Sequence, residues 1–355
     1  MDYYISMYCL NNLKMGGNQM IKVKKLISGI LISLIMVSFI GCSSDSEANR
    51  PQGEAPLNIT IIGASSSGTL FMVLSAISEC INMTYPGSKV TIVPGSTGAN
   101  PIRINNNEGD VSVSNSVQAY AAMHGNDPFT EEHSNIAAIA ALYPSVLQIA
   151  FDKKIGIISL EEFLNKKMKL RISIGQPGSN TELMFKQILS EYGLTLDDIS
   201  NWGGEIIYQN IDNSAQMLAD GTIDGALFAT LVPVPNLLEA STAKDFEFLS
   251  IDQKIIDKMI EKYKYQSATI PAGSYPSQQA EIQTIACTTF IFVPKDSSDE
   301  NAYKIARSIN ENLDYLHDVH ANLSGLTSEE LVLNMNIPLH PGAEKYYREQ
   351  GIINK

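Results

Sequence analysis

Apolar runs short enough to be strands alternate with stretches of helical period through most of this chain, and three of the junctions between them share one composition. They are Gly63-Ala64-Ser65-Ser66-Ser67-Gly68-Thr69, Gly95-Ser96-Thr97-Gly98-Ala99-Asn100 and Gly175-Gln176-Pro177-Gly178-Ser179-Asn180-Thr181. Leu57 to Ile62 alternates as a strand ahead of the first loop, and Leu70 to Met83 continues as a helix with apolar positions at 70, 71, 74, 77 and 81. Val90 to Val93 feeds the second loop, Pro101 to Asn107 reads as a short helix, and Val111 to Ser114 is a third strand ending at Asn115-Ser116. Leu170 to Ile174 feeds the third loop, and the helix Glu182 to Tyr192 ends at Gly193 in the position of a C′ glycine. Strands alternating with helices predict an α/β fold with parallel sheets and functional loops at the strand carboxyl ends.

Further along, Ile136 to Tyr143 and Val146 to Phe151 read as buried strands and Leu160 to Lys167 as a connecting helix. Ile206 to Tyr208, Gly225 to Phe228 and Phe246 to Ile251 supply more strands, with Ser214 to Ala219 helical between the first two. The units fall into two sets, before and after about Phe151, so two sheets are expected. Residues 57–150 and about 269–355 are expected to form one lobe and residues 151–268 the other. Val146 to Phe151 and Thr288 to Val293, apolar runs flanked by polar turns, are the expected paired segments crossing between lobes. No short-period repeat is visible, which disfavours solenoids and propellers.

Glycine lets a ligand approach the backbone closely, while Ser, Thr and Asn offer neutral donors. A helix that begins at such a loop adds its unpaired N–H groups, so each strand–loop–helix unit can seat a carboxylate or another anion. Three seats from distant segments point to one polar cleft. The residues expected to line it are Ser65, Ser66, Gly68, Thr69, Thr97, Gly98, Asn100, Asn115, Ser116, Gly178, Ser179, Asn180 and Thr181, with Phe228 and Pro233 as an apolar wall. The Ser and Asn side chains also suit helix capping, and a cap and a ligand donor can be the same group. Beyond Cys42 the arginines are Arg50, Arg103, Arg171, Arg307 and Arg348, so a bound anion rests on N–H groups and hydroxyls unless Arg103 turns inward.

Gly63 to Ser67 follows a strand and opens a helix, as the nucleophile elbow of a hydrolase does. Ser67 replaces its final glycine, however, and nothing local marks His317, His320 or His340 as a base. Gly63 and Gly68 have Walker-loop spacing, yet Thr69 stands where the lysine must be. His317 and His320 share a helical face without an accompanying ligand cluster and read as a polar surface stripe. His340 reads as a structural hydrogen-bonding group in a Pro-flanked turn, and Tyr346-Tyr347 as packing. No catalytic residue, metal or cofactor is expected. A secreted serine hydrolase using Ser65 is the enzymatic alternative.

Leu26 to Ile40 is an uncharged, mostly apolar run behind Lys22, Lys24 and Lys25, and it stops at Gly41-Cys42. Residues 1–41 therefore read as a secretory signal with its expected start at Met20, the apolar run being short of the roughly 20 residues of a spanning helix. Phe39-Ile40-Gly41-Cys42 resembles the bacterial lipobox, which implies a lipidated Cys42 followed by a flexible tether over residues 42–56. Removal of the signal takes four lysines and one aspartate and moves the net charge from −13 to −16, which makes nucleic acid and anionic lipid poor partners. Cys80 and Cys287 remain, either as a pair or as two buried thiols.

Ile61 to Phe71, Gly95 to Asn115, Ser173 to Thr181, Asp220 to Phe228, Ile270 to Pro276 and Pro338 to Tyr347 together resemble the TAXI family of TRAP-transporter solute receptors. Leu70-Phe71 stands where that family usually has an aromatic pair, and Pro101 where it often has Asn. The resemblance implies a two-lobed periplasmic-binding-protein-like (type II) fold with a ligand cleft between lobes. It further implies an extracytoplasmic receptor that closes over a small carboxylate or amino acid of the glutamate type; with the lipobox-like Cys42, the expected location is the extracytoplasmic face of a bacterial membrane, lipid-anchored at the cell surface or in the periplasm. The implied partners are that ligand and the TRAP membrane permease subunits. An ABC-type or a sensory solute-binding protein is the alternative within the same fold.

Overall fold

Ile59, Ile61 and Ile62 are β-branched and buried, and they set the first strand of a sheet in which the computed structural model describes residues 54–64, 69–319 and 323–354. The signal segment, Cys42, most of the tether and the loop residues Ser65, Ser66, Ser67 and Gly68 lie outside the described residues, as does His320. Strand β1 (Asn58–Ile62) lies between β2 (Lys89–Val93) and β3 (Val111–Asn115), parallel to both. Parallel neighbours need crossovers, here α1 (Thr69–Thr84) and α2 (Asn100–Asn105). Every residue of β3 is buried, and its serines survive burial by bonding: Ser112 Oγ donates to the Ile62 carbonyl at 2.7 Å and Ser114 Oγ to that of Thr97 at 2.7 Å. Helix α3 (Ser116–Met123) then leads to the long strand β4 (Ala137–Asp152).

The second half repeats the pattern with α4 (Leu160–Asn165), β5 (Arg171–Ser173), α5 (Asn180–Glu191), α6 (Leu196–Asn201), β6 (Glu205–Ile207) and α7 (Ile211–Asp220). It continues through β7 (Gly225–Thr230), α8 (Pro235–Ala240), β8 (Phe246–Phe248), α9 (Gln253–Tyr263) and β9 (Gln266–Ile270). Strand β10 (Ile282–Val293) returns the chain to the first half, which α10 (Asp299–Asn310), α11 (Leu313–Val319) and α12 (Pro341–Glu349) complete.

Hydrogen bonding joins the halves into one path, β2-β1-β3-β10-β4-β7-β5-β6, where the sequence suggested two sheets. The difference lies in β4 and β10, which run antiparallel beside each other and each serve both halves. β10 pairs with β3 through Thr289 to Phe292 and with β9 through Ile282 to Ala286, while β4 meets β7 from Val146 onward. The chain thus changes halves at Tyr143-Pro144-Ser145 and at Cys287-Thr288, which face one another in register. The expected crossing segments flank this point: Val146 to Phe151 lies in the second half on β7, and Thr288 to Val293 in the first on β3. Pro144 is tolerated inside β4 because pairing with β7 has not yet begun there.

The first half buries Ile59 and Ile61 against Val73, Leu74, Ile77 and Ile81 of α1, with Tyr346 and Tyr347 beneath α10. The second half packs Phe163, Phe185, Ile188 and Ile256 on one face of its strands, and Phe228, Leu237 and Tyr275 on the other. Near the crossing each half lends a side chain to the other's core: Val117 of α3 joins the second and Leu231 after β7 the first. Cys80 and Cys287 belong to different cores and are free, buried thiols, each pushed up to about 12 by burial. No described helix is long and apolar enough to cross a membrane.

Candidate functional site

Between the halves lies a cavity of about 300 Å³, reached by the loops after β2, β5, β6 and β7 and floored by the crossing residues Tyr143, Ser145 and Thr289. The topology explains its place. Strands of both halves deliver their loops toward the seam between them, and helices begin there with unpaired N–H groups.

From the first half come Ala64, Leu70, Gly95, Ser96, Thr97 and Asn115. Asn115 caps α3, its Oδ1 accepting from Gln118 N at 2.9 Å while its amide donates to Gln118 Oε1. From the second half come Gly175, Gln176, Pro177, Ser179, Asn180 and Thr181. Ser179 caps α5 through Glu182 N at 3.3 Å and sits where a Cβ on Gly175 would meet its Oγ at 2.6 Å. With φ of +88°, Gly175 is required by both backbone and space. Thr181 Oγ1 accepts from Ala229 N at 3.1 Å and ties α5 to β7. Asn180 Nδ2 donates to Ser145 Oγ at 3.1 Å and approaches Cys287 Sγ at 3.3 Å, leaving its buried Oδ1 without a partner among the described residues.

Several expected site residues stand elsewhere. Asn100 is wholly buried outside the lining, donating to the carbonyls of Gly63 and Val113, both at 2.8 Å, and accepting from Ser96 N at 3.1 Å. Ser116 accepts from Thr288 N at 3.2 Å and braces the crossing. Gly98 and Gly178 face each other beside the lining residues Thr97, Pro177 and Ser179 without lining the cavity themselves. Phe228 corrects the expected apolar wall: side chains alternate along β7, so Phe228 enters the core while its neighbour Ala229 lines the cavity. Pro233 is likewise absent from the lining, and the wall is Leu231, Val234 and Pro235, with Leu70 and Ile211. Ser65, Ser66 and Gly68 lie outside the described residues; Thr69 is described only as the first residue of α1.

The sequence reading missed Gln209 and Asn210, the latter capping α7 through Asn213 N at 2.7 Å. The signal was present, a strand followed by a polar pair and a helix, but without glycine. It also missed Tyr143, Ser145, Thr230 and Thr289, which lie on strands or at their ends.

Among the described lining residues there is no Lys, Arg, His, Cys or Glu, and Asp212 is the one carboxylate. Arg103 does not turn inward: its Nε pairs with Glu108 at 3.0 Å and its guanidinium donates to the Pro94 carbonyl at 2.9 Å. Arg171 grips Asp224 with Nε to Oδ2 at 3.1 Å and a terminal nitrogen to Oδ1 at 2.8 Å, at the strand end away from the cavity. His340 caps α12 through Gly342 N at 3.1 Å, and His317 bonds the Leu326 carbonyl at 2.8 Å. Burial pushes the Tyr143 hydroxyl above the usual phenol range, which keeps it a neutral donor, while the Thr289 hydroxyl acts in the opposite sense. The site offers hydroxyls, amides and helix N-termini, converging from two sides on a small space.

Solved structures are similar to this chain over most of its length. MatC from Rhodopseudomonas palustris with bound malate is similar at 12% identity over 85% of this chain and 99% of that chain, with a TM-score of 0.50. PhnD1 from Prochlorococcus marinus in complex with methylphosphonate matches at 12% identity over 84% and 98%, with a TM-score of 0.48. The alkanesulfonate-binding protein SsuA from Xanthomonas axonopodis pv. citri bound to MOPS matches at 13% identity over 83% and 84%, with a TM-score of 0.43. The likeness to MatC identifies the fold as the two-lobed α/β fold of type II periplasmic binding proteins. A family model described as NMT1-like matches residues 61–351.

Proposed function

Since the chain belongs to the NMT1-like family, we propose that it is an extracytoplasmic receptor that binds a small carboxylate or amino acid between its two lobes and delivers it to a membrane permease. The observation that carries this reading is the cavity itself, lined from both halves by neutral donors and helix starts, with no lysine or arginine among the described lining residues. Its volume of about 300 Å³ suits a small solute, and its apolar wall of Leu231, Val234 and Pro235 suits a short carbon chain. Neutral hydrogen bonds contribute about 0.5–1.5 kcal/mol each, so affinity depends on making several at once with water excluded. Closure of the lobes supplies both conditions, and the closed form is what a permease would read.

We assign residues 57–144 and 288–351 to one lobe and residues 145–287 to the other, following the change of pairing partners in β4 and β10. The permease is of the TRAP type and the ligand glutamate-like in this reading, which takes both from the TAXI resemblance. The lipid on Cys42 would hold receptor and permease at one membrane surface and raise their effective concentration. No imidazole lines the described cavity, which counts against the hydrolase alternative.

Thermal denaturation in the presence of malate, L-glutamate and a broad panel of small acids tests the reading. A member of the panel raises the melting temperature of the wild type, and the double variant Thr97→Ala/Ser179→Ala loses that rise while still melting cooperatively without ligand, a few degrees lower because the Ser179 cap is gone. A panel-wide absence of stabilisation would count against the receptor.

A further inference from the structure

Gly98 has a backbone conformation open to any residue, since its φ is outside the positive range that favours glycine. Its need for glycine comes chiefly from across the cleft, since the nearest atom of its own half, the flexible Gln118 amide, would lie 3.0 Å from a Cβ there. A Cβ on Gly98 would lie 2.6 Å from the carbonyl oxygen of Gly178, below the 3.0 Å that such a contact requires, so one Hα of Gly98 is aimed at that oxygen. Gly98 belongs to the loop after β2, in the first half, and Gly178 to the loop after β5, in the second.

Neither loop can give way cheaply. The Thr97 carbonyl is held by Ser114 Oγ at 2.7 Å, and Asn100 fixes the same loop to Gly63 and Val113. Opposite, Gly178 N donates to Glu182 Oε2 at 2.6 Å and Ser179 N to the Gln176 carbonyl at 3.0 Å. We infer that Gly98 and Gly178 form a steric gauge across the cleft: the lobes close to the depth seen here only because residue 98 has no side chain. Its role rests on the proposal that the two halves open and close. Gly98 is a positioning residue, acting by setting how near the donors of the two halves come to one ligand.

The test measures how often the loops meet. In the full chain carrying Cys9→Ser and Cys42→Ser, Ala99→Cys and Pro177→Cys place one thiol beside each glycine, and a short bis-maleimide bridges them when the cleft closes. The native Cys80 and Cys287 are buried and do not compete. Gly98→Ala slows bridging by about tenfold or more and Gly98→Val further, while each single thiol reacts with a monofunctional maleimide at the background rate. Gly193→Ala serves as the stability control, because Gly193 has φ of +72° and open space around it: it lowers the melting temperature and leaves bridging unchanged. Circular dichroism verifies that the Gly98 variants are folded, and the alanine variant carries the test if the valine variant is not. Bridging at the background rate in a folded Gly98→Ala variant overturns the gauge. A background chain whose thiols each react but never bridge overturns lobe closure itself.

Discussion

Replacing Asn100 with alanine separates a structural strut from a ligand contact at the residue where the two were hardest to distinguish. Its amide donates to the Gly63 and Val113 carbonyls, both at 2.8 Å, and its Oδ1 accepts from Ser96 N at 3.1 Å, so one side chain joins the loops after β1 and β2 to β3. The residue is fully buried, and the slot it fills exists because a Cβ on Gly95 would lie 2.4 Å from Asn100 Oδ1. The substitution removes three hydrogen bonds and leaves two carbonyls and one N–H seeking partners. At about 1 kcal/mol per lost bond, with some added cost for groups that stay dry, the expected loss is roughly 3–5 kcal/mol. For a chain of this size that lowers the melting temperature by roughly 5–8 °C. Circular dichroism melts of the full chain measure it. Asn100→Asp is at least as damaging, because it keeps the acceptor but sets a carboxylate against two carbonyls. An Asn100→Ala protein that melts with the wild type but loses its ligand would refute the strut and return Asn100 to the binding surface.

Other consequences are as specific. A Cβ on Gly225 would lie 2.3 Å from the Phe151 ring, so Gly225→Ala overpacks the core and shifts the urea midpoint down by about 1–3 kcal/mol of stability. The hydrogen bonds and charge of Arg171 hold the Asp224 carboxyl below its usual range, although partial burial acts in the opposite sense. A depressed carboxyl favours the folded state above the unfolded value of about 3.9 and loses that effect as pH falls through the folded one. Asp224→Asn is therefore less stable than wild type at pH 7, and the gap narrows as melts are repeated below about pH 4. Phe228→Leu lowers stability through the core without altering ligand affinity, whereas Leu231→Ala weakens binding; calorimetry with the identified solute distinguishes them.

Much of the fold was readable because local chemistry and global structure agree. The alternation Leu57 to Ile62, the apolar face of α1 and the terminating Gly193 each state one element locally, and each is present. The one continuous sheet was not readable, since the apolar runs on either side of Pro144-Ser145 look like two strands and only long-range pairing joins them. The cavity was legible where helix caps line it, as at Asn115 and Ser179, because capping and ligand donation favour the same residues at the same strand ends. Asn210 obeys the same grammar without the glycine that marks the other loops. Tyr143 and Thr289 face each other in register from distant strands, a juxtaposition with no local signal. Phe228 stands one residue from Ala229 of the cavity lining, a step that in a strand separates wall from core.

The central claim is that this cavity holds a small acid and performs no chemistry on it. Equilibrium dialysis of the full chain against a complete metabolite extract, with mass spectrometry of what is retained, tests that claim without presuming the ligand. Retention of one small carboxylate or amino acid at one molecule per chain, recovered unaltered and lost in Thr97→Ala/Ser179→Ala, is the predicted result. Retention of nothing, recovery of a cleaved product, or equal retention by the double variant would contradict it.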